Sequence, residues 1–251
     1  STIIRNKEHE AMKTTMSQSA KATTTTTKLK AFAAPQARPL PVIVLADVSG
    51  SMSENGKIDA LNVALKEMIL SFAKEPRLRA EIQVGLITFG GRQAHEHLPL
   101  VAANLIGGVE AFQAAGATPM GSAFALAHKL LEDKEQIPSR AYRPVLVLVS
   151  DGAPTDAWEA PLAALKASER GQKATRFAMA IGADADHDML AQFANDKEAP
   201  VFRADEARDI VRFFRMVTMS VVSRSSSATP DQPVTLNMED ALSDDLDLDA
   251  L

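Results

Sequence analysis

Three short stretches of the chain place oxygen-bearing side chains directly after apolar segments or at the start of a helix. The first is the D-x-S-x-S sequence of Asp47, Ser49 and Ser51, the second contains Thr118, and the third contains Asp151. Carboxylate and hydroxyl oxygens without histidine or cysteine suit a hard divalent cation such as Mg²⁺ or Mn²⁺. Two carboxylates only balance the charge of such an ion. The predicted chemistry is therefore an open metal site that favours an added anionic oxygen.

Asp47 directly follows a continuous apolar run at residues 42–46 (VIVLA), and Asp151 follows a second run at residues 145–149 (VLVLV) with only Ser150 between. Such runs are typical of strands that are buried on both faces of a parallel sheet. Strand-like and helix-like segments alternate between them and beyond them, which predicts an α/β fold. We expect a doubly wound, mainly parallel sheet with helices on both faces. Because ligands bind beyond the carboxyl ends of the strands in such sheets, Asp47 and Asp151 should share that edge.

The individual elements follow from the spacing of apolar residues. The expected strands are 42–47, 82–89, 145–149 and 176–181, with shorter ones at 98–100 and 201–202. The expected helices are 58–73, 119–131, 157–170, 189–194 and 207–222.

The five oxygen-bearing residues resemble the metal-ion-dependent adhesion site (MIDAS) of von Willebrand factor type A (VWA) domains. That site combines D-x-S-x-S, a threonine and an aspartate in a D-G turn, and none of the five positions is missing here. The resemblance covers about residues 41–222 and implies a Rossmann-like fold. It implies direct metal contacts from Ser49, Ser51 and Thr118. It implies contacts from Asp47 and Asp151 that are direct or pass through water, and a protein partner whose Asp or Glu completes the coordination.

Within that family, three stretches look most like the bacterial TerY-type proteins of tellurite-resistance operons. They are PVIVLADVSGSM (41–52), GATPMGSAF (116–124) and VSDGAPTDAW (149–158). Proteins of that type are associated with chemical-stress and phage-defence gene clusters, often beside kinase- and phosphatase-like partners. The resemblance therefore implies a bacterial stress-response or defence role with partners of those kinds.

Each of these residues also has a purely structural interpretation, which the sequence leaves open. Thr118 precedes Pro119 and is suited to cap the helix that begins there. Asp151 and Gly152 form a pair that is frequent in strand-to-turn connections. Ser49 and Ser51 would be turn residues if they occurred alone. The joint occurrence of all five favours the metal site.

Other candidate sites are weaker. His95 and His97 have an alternate spacing that could bind a metal, but a solvated loop is the favoured interpretation. The acidic segment 184–188 lacks the glycine and the distal glutamate of a calcium loop. We expect it to start a helix with Asp186 as the cap. Residues 156–159 fit a capping box for the helix that follows them.

Charge divides the chain into three parts. Residues 11–40 hold five basic residues and no acid, whereas the stretch from Ala228 onward holds seven acids and no base. Both ends are too polar to build a core, so we expect them to be flexible arms. The expected division is a basic, Thr-rich arm (1–40), a VWA domain (41–223) and an acidic tail (224–251).

The overall composition excludes several classes of function. A net charge of −5 argues against a general nucleic-acid surface. The absence of cysteine excludes disulfides, zinc–thiolate sites and thiol nucleophiles. No apolar run approaches a membrane span in length, and residues 1–15 lack the apolar core of a secretory signal. We expect a cytoplasmic protein with no membrane partner.

Three functions fit a metal site of this kind. The first is a metal-dependent protein-binding module, the second is a hydrolase with a metal-activated water, and the third is a scaffold whose metal site is structural. A hydrolase needs a nearby general base. The sequence puts neither His95 nor His97 at a strand end, and His128 falls within a helix. We therefore predict a binding module without enzymatic activity.

Overall fold

The computed structural model describes residues 37–75, 79–195 and 201–232. Strands and helices alternate along these residues. The strands are β1 (Arg38–Asp47), β2 (Ala80–Gly90), β3 (Gln93–Ala102), β4 (Val145–Ser150), β5 (Thr175–Ile181) and β6 (Phe202–Ala204). The helices are α1 (Lys57–Lys74), α2 (Met120–Glu132), α3 (Glu159–Ala167), α4 (Glu169–Lys173), α5 (His187–Phe193) and α6 (Ala207–Ser226).

The strands form one sheet in the order β3-β2-β1-β4-β5-β6. Every neighbouring pair is parallel except β2 and β3, which are antiparallel. This arrangement confirms the predicted α/β fold. β3 is longer than the expected strand at 98–100, and it contains His95 and His97, so the loop predicted for these histidines was wrong. The two-residue turn of Gly91 and Arg92 returns the chain beside β2, and β3 extends through the pairing that follows.

Two apolar layers sandwich the sheet and account for its buried strands. One layer packs alternate residues of β1, such as Val42 and Val44, against α1 and α6. The other packs the intervening residues, such as Ile43 and Leu45, against α2, α3 and α5. Residues of a strand alternate between faces. A strand covered by helices on both sides must therefore be apolar throughout, as β1 and β4 are.

The carboxyl ends of β1 and β4 lie side by side at the centre of the sheet. Ala46, one residue before the end of β1, pairs with Val149, one residue before the end of β4. The connection after β1 leads through α1 to β2 on one side, whereas β4 continues to β5 on the other side. The loops that leave the two strands therefore diverge. This point of divergence is where doubly wound sheets bind ligands.

The secondary structure extends past the expected domain limits of 41 and 223 at both ends. β1 begins at Arg38 because residues 38–40 pair with the start of β2. α6 continues to Ser226, and Arg224 is buried, with hydrogen bonds from its guanidinium to the carbonyls of Pro230 and Arg143. The remainder of the predicted arm and of the predicted acidic tail lies outside the described residues.

The helix expected at 157–170 is two helices. α3 ends at Ala167, and the Ser168 hydroxyl accepts a hydrogen bond from the backbone N–H of Gly171 to cap α4. Ser168 has extended backbone angles, and this break turns the chain towards β5. Within the described part of the chain, none of the helices combines the length and apolar character that crossing a membrane requires.

Candidate metal site

Asp47 is the last residue of β1, and its side chain is fully buried. Oδ1 accepts a hydrogen bond of 2.8 Å from the backbone N–H of Ser49, and Oδ2 accepts one of 2.6 Å from the Ser150 hydroxyl. Burial raises the pKa of Asp47 above its ordinary value. The hydrogen bonds from Ser150 and Ser49 act in the opposite direction, and the nearby negative charge of Asp151 adds to the rise.

A chain of hydroxyls connects the loop after β1 with the loop after β4. The Ser49 and Ser51 hydroxyl oxygens are 3.1 Å apart, and the Ser51 hydroxyl donates to Oδ1 of Asp151 at 2.7 Å. Asp151 follows β4 directly and is buried. Four of the five predicted residues are therefore joined by a continuous set of short polar contacts.

Thr118 is held between the same two loops by backbone contacts. The segment before it is fixed to the β1 loop, because Ala115 N–H donates to Val48 O at 2.8 Å and Gly50 N–H donates to Gly116 O at 3.0 Å. Thr118 itself exchanges two hydrogen bonds with the loop after β4. Its N–H donates to Thr155 Oγ1 at 3.0 Å, and its carbonyl accepts from Thr155 N–H at 2.9 Å.

The Thr118 hydroxyl does not cap the following helix. The residue is only 6% exposed, yet its hydroxyl makes no hydrogen bond with any of the described residues. Its oxygen is not enclosed either, because among the described residues the fully buried side-chain N and O atoms without a partner are those of Gln83 and Arg224. The N-cap alternative for Thr118 is therefore wrong, and this oxygen is available to a ligand.

Asp156 takes the capping role at the start of α2. Its two carboxylate oxygens accept hydrogen bonds from the backbone N–H groups of Gly121 at 2.8 Å and Ser122 at 2.9 Å. The capping box predicted for residues 156–159 is wrong, since the N-cap of α3 is Trp158, without a side-chain cap. The same motif caps a different helix because the loop after β4 folds over the start of α2.

Lys57 also reaches the site. Its Nζ lies 2.9 Å from Oδ2 of Asp151, and its side chain is 16% exposed. A 3₁₀ turn, Gly50–Gly56, includes the second serine of the D-x-S-x-S sequence, and its last residue, Gly56, has a left-handed backbone (φ 71°). Lys57 follows directly and is the first residue of α1. The loop that carries the serines therefore also delivers a cationic side chain to the second carboxylate.

The donor set fits a hard divalent cation. Asp47, Ser49, Ser51, Thr118 and Asp151 offer carboxylate and hydroxyl oxygens, which are the ligand types that Mg²⁺ and Mn²⁺ accept. The Thr118 hydroxyl makes no hydrogen bond within the described residues and can serve as a ligand to such an ion. The Lys57 ammonium shows that the pocket already accommodates positive charge beside Asp151.

Comparisons with known proteins agree with this fold. A model of the von Willebrand factor type A domain matches residues 42–215. The chain belongs to the von Willebrand factor type A domain family. No curated protein matches the chain in sequence.

Solved structures of other proteins share the fold at low identity. Proximal thread matrix protein 1 from the mussel byssus has a TM-score of 0.59 and 17% identity over 74% of this chain and 48% of its own. Pilus adhesin SpaC from Lactobacillus rhamnosus GG has a TM-score of 0.60 and 15% identity over 76% and 31%. A VWA protein from Catenulispora acidiphila has a TM-score of 0.56 and 23% identity over 73% and 42%. This chain spans less than half the length of each.

The weaker candidates in this VWA domain have structural roles. The His97 ring packs edge-on against Phe112 with 4.6 Å between ring centroids, and its Nε2 contacts the Glu110 carbonyl at 2.8 Å. Asp186 caps α5 as predicted, because its Oδ1 accepts a hydrogen bond from Met189 N–H. Among the described residues, no group of three or more His, Cys, Asp or Glu side chains is placed to hold a metal ion.

Sequence reasoning missed three residues that shape the site, which are Ser150, Thr155 and Lys57, and it assigned a fourth, Asp156, to the wrong helix. Ser150 had a local signal, since it ends the same apolar strand that precedes Asp151. Lys57 had none, because its contact with Asp151 joins residues 94 positions apart. Only the folded chain brings that pair together.

Proposed function

We propose that this VWA domain is a metal-dependent protein-binding module that holds Mg²⁺ or Mn²⁺ at its candidate metal site. A carboxylate of a partner protein would complete the coordination of the ion. The observation that carries the proposal is the convergence of Asp47, Ser49, Ser51 and Asp151 in one hydrogen-bonded cluster beside the unpaired Thr118 hydroxyl. The cluster occupies the point where ligands bind in doubly wound sheets.

Each of the five residues has a distinct part in this proposal. Ser49, Ser51 and Thr118 would contact the ion directly, and Asp47 and Asp151 would supply negative charge directly or through water. The ion acts as a Lewis acid that attracts an external carboxylate. Ser150 and the Ser49 amide hold the Asp47 carboxylate in a fixed orientation, which limits the rearrangement that binding requires.

Binding is favoured over hydrolysis because, among the residues that the structure describes, no histidine side chain joins the hydrogen bonds of the cluster. His95 lies in β3, where it pairs with Thr88 of β2. Because β2 lies between β3 and β1, His95 is two inter-strand spacings, or about 10 Å, from β1. His128 lies within α2, in a later turn than the residues at its start that adjoin the site. A scaffold with a structural metal is the other alternative. It differs from our proposal in one respect, because its partner binding would survive removal of the metal.

Two of the fold's relatives support a binding role by what their names state. SpaC is a pilus adhesin, and one structure of mussel proximal thread matrix protein 1 has zinc in its MIDAS motif. For this chain, we further propose a cytoplasmic bacterial stress-response or defence role. That part rests on the resemblance to TerY-type proteins, and kinase- or phosphatase-like products of neighbouring genes are the first partners to test.

Calorimetric titration of the full chain with Mg²⁺ and Mn²⁺ tests the metal site. Asp47→Ala and Asp151→Ala should abolish or strongly weaken binding while the domain remains folded. Asp184→Ala is a matched control, because Asp184 is an exposed aspartate that follows β5 at the same edge of the sheet. Metal affinity that is unchanged in both site variants would refute the proposal.

A second experiment separates the three functions. Candidate partners are captured on the immobilised full chain with Mg²⁺ or with EDTA, and phosphate-ester turnover is measured in parallel. A binding module should lose its partner in EDTA and in Asp47→Ala. Partner binding that persists in EDTA would favour the scaffold, and metal-dependent turnover would favour the hydrolase.

A further inference from the structure

Both carboxylate oxygens of Asp151 already have partners within the protein. Ser51 donates to Oδ1 at 2.7 Å, and Lys57 Nζ lies 2.9 Å from Oδ2. The Asp151 side chain is fully buried, and the Lys57 side chain is 16% exposed. A lysine ammonium is a compact cation that donates and never accepts. Lys57 therefore satisfies one carboxylate of the site in the way a metal ion would.

The contact is fixed by the fold and is not an incidental surface pair. Lys57 is the first residue of α1, and the helix is anchored in the core by Leu61, Leu65 and Met68. The preceding residues, Asn55 and Gly56, both have left-handed backbone angles, with φ of 54° and 71°. This turn sets where α1 starts, and it sets the direction in which the lysine leaves the backbone.

Lys57 changes the net charge of the site both without and with a bound metal ion. Asp47 and Asp151 together carry two negative charges when ionised, and Lys57 reduces the total to one. With a divalent cation bound, the site carries one net positive charge, where two carboxylates alone would leave it neutral. Like charges a few ångströms apart repel strongly in a partly buried site. The lysine therefore opposes the metal and favours an anionic partner.

We propose that Lys57 competes with the divalent cation for Asp151, so that it weakens metal binding by the free domain and strengthens the attraction of the loaded site for a partner carboxylate. This inference rests on the proposed function, because it concerns the same metal site. The competition would make Lys57 a regulatory residue of the metal site. Metal and partner would bind cooperatively, since a partner carboxylate offsets the charge that Lys57 contributes.

The test is calorimetric titration of the full chain with Mn²⁺ and Mg²⁺ alone. Lys57→Met removes the charge and should tighten metal binding by about tenfold, equivalent to ~1.4 kcal/mol. Lys57→Gln is a second neutral variant in case the methionine disturbs the start of α1. Lys57→Arg keeps the charge and should bind metal as the wild type does. Lys66→Met is the matched control, since Lys66 is an exposed lysine of the same helix.

The outcomes separate this inference from the proposed function. If the wild type binds metal and both neutral variants bind it equally or more weakly, the competition is refuted and Lys57 only orients Asp151. If the wild type shows no binding and the neutral variants gain it, the competition is supported. If none of the proteins binds metal, the inference and the proposed function both fail. Melting temperatures of all variants establish that each is folded.

Discussion

Asp156 offers the sharpest test of how the site is built, because the sequence and the structure assign it to different helices. In the structure its carboxylate accepts hydrogen bonds from Gly121 N–H at 2.8 Å and Ser122 N–H at 2.9 Å, at the start of α2. Those N–H groups have no partner within the helix. A carboxylate at this end also interacts favourably with the helix dipole.

The size of the effect of Asp156→Ala follows from these two contacts. Hydrogen bonds to charged groups contribute about 1.5–3 kcal/mol each when buried. Asp156 is only half-buried, so water can partly replace it, and we expect a total loss of about 2–3 kcal/mol. For domains of 150–250 residues this corresponds to a fall in melting temperature of roughly 4–12 °C. Asp156→Asn can accept only one of the two bonds and should lose about half as much.

The assay is thermal and urea unfolding of the full chain in EDTA, with Glu159→Ala as the control. A capping box for α3 would require both Asp156 and Glu159, so both alanine variants would be destabilised. The structure predicts that Glu159→Ala changes stability by less than about 0.5 kcal/mol. Equal losses in the two variants, or no loss in Asp156→Ala, would refute the assignment of Asp156 to α2.

Three further predictions concern the same edge of the sheet. Thr118→Ala should weaken metal binding and cost about 1 kcal/mol of stability, because a buried methyl group is lost but no hydrogen bond, and calorimetry with melting curves measures both. In EDTA the contribution of Asp47 to the stability of the wild type should be lost as the pH rises from about 3.9 through its raised pKa. Asp47→Asn should remove that dependence and melt higher than the wild type at neutral pH, and parallel pH profiles of the two proteins would contradict this. Gly121→Ala should destabilise by about 1–3 kcal/mol despite the gain in helix propensity, because the added Cβ would overlap the Ala157 carbonyl. Gly108→Ala, where a Cβ meets nothing within 4 Å, is its control, and a stabilised Gly121→Ala would count against the packing of this loop on α2.

Much of this domain follows from the sequence alone. The apolar runs that end at Asp47 and Ser150 are strands buried on both faces. Such strands can be predicted from the sequence because helices cover both faces of the sheet, so every residue of the strand must be apolar. The alternation of strands and helices gives the parallel sheet. Once the sheet is parallel, residues that follow its strands must lie at one edge, so the common location of Asp47 and Asp151 was predictable. The antiparallel strand β3 is longer than the sequence predicted, because its alternation is weak and its pairing with β2 extends it.

The tertiary structure alone decided which strands are neighbours and which side chains meet. Spacing along the chain does not say that β1 lies beside β4, and that adjacency brings Ser51 to Asp151. Local motifs also fail when loops fold over distant elements, as when Asp156 caps α2 rather than the helix that follows it. Lys57 is the clearest case. Its contact spans 94 residues, and no periodicity or motif encodes it. Local sequence determines which backbone conformations are favourable, but contacts between distant loops depend on how the helices pack on the sheet.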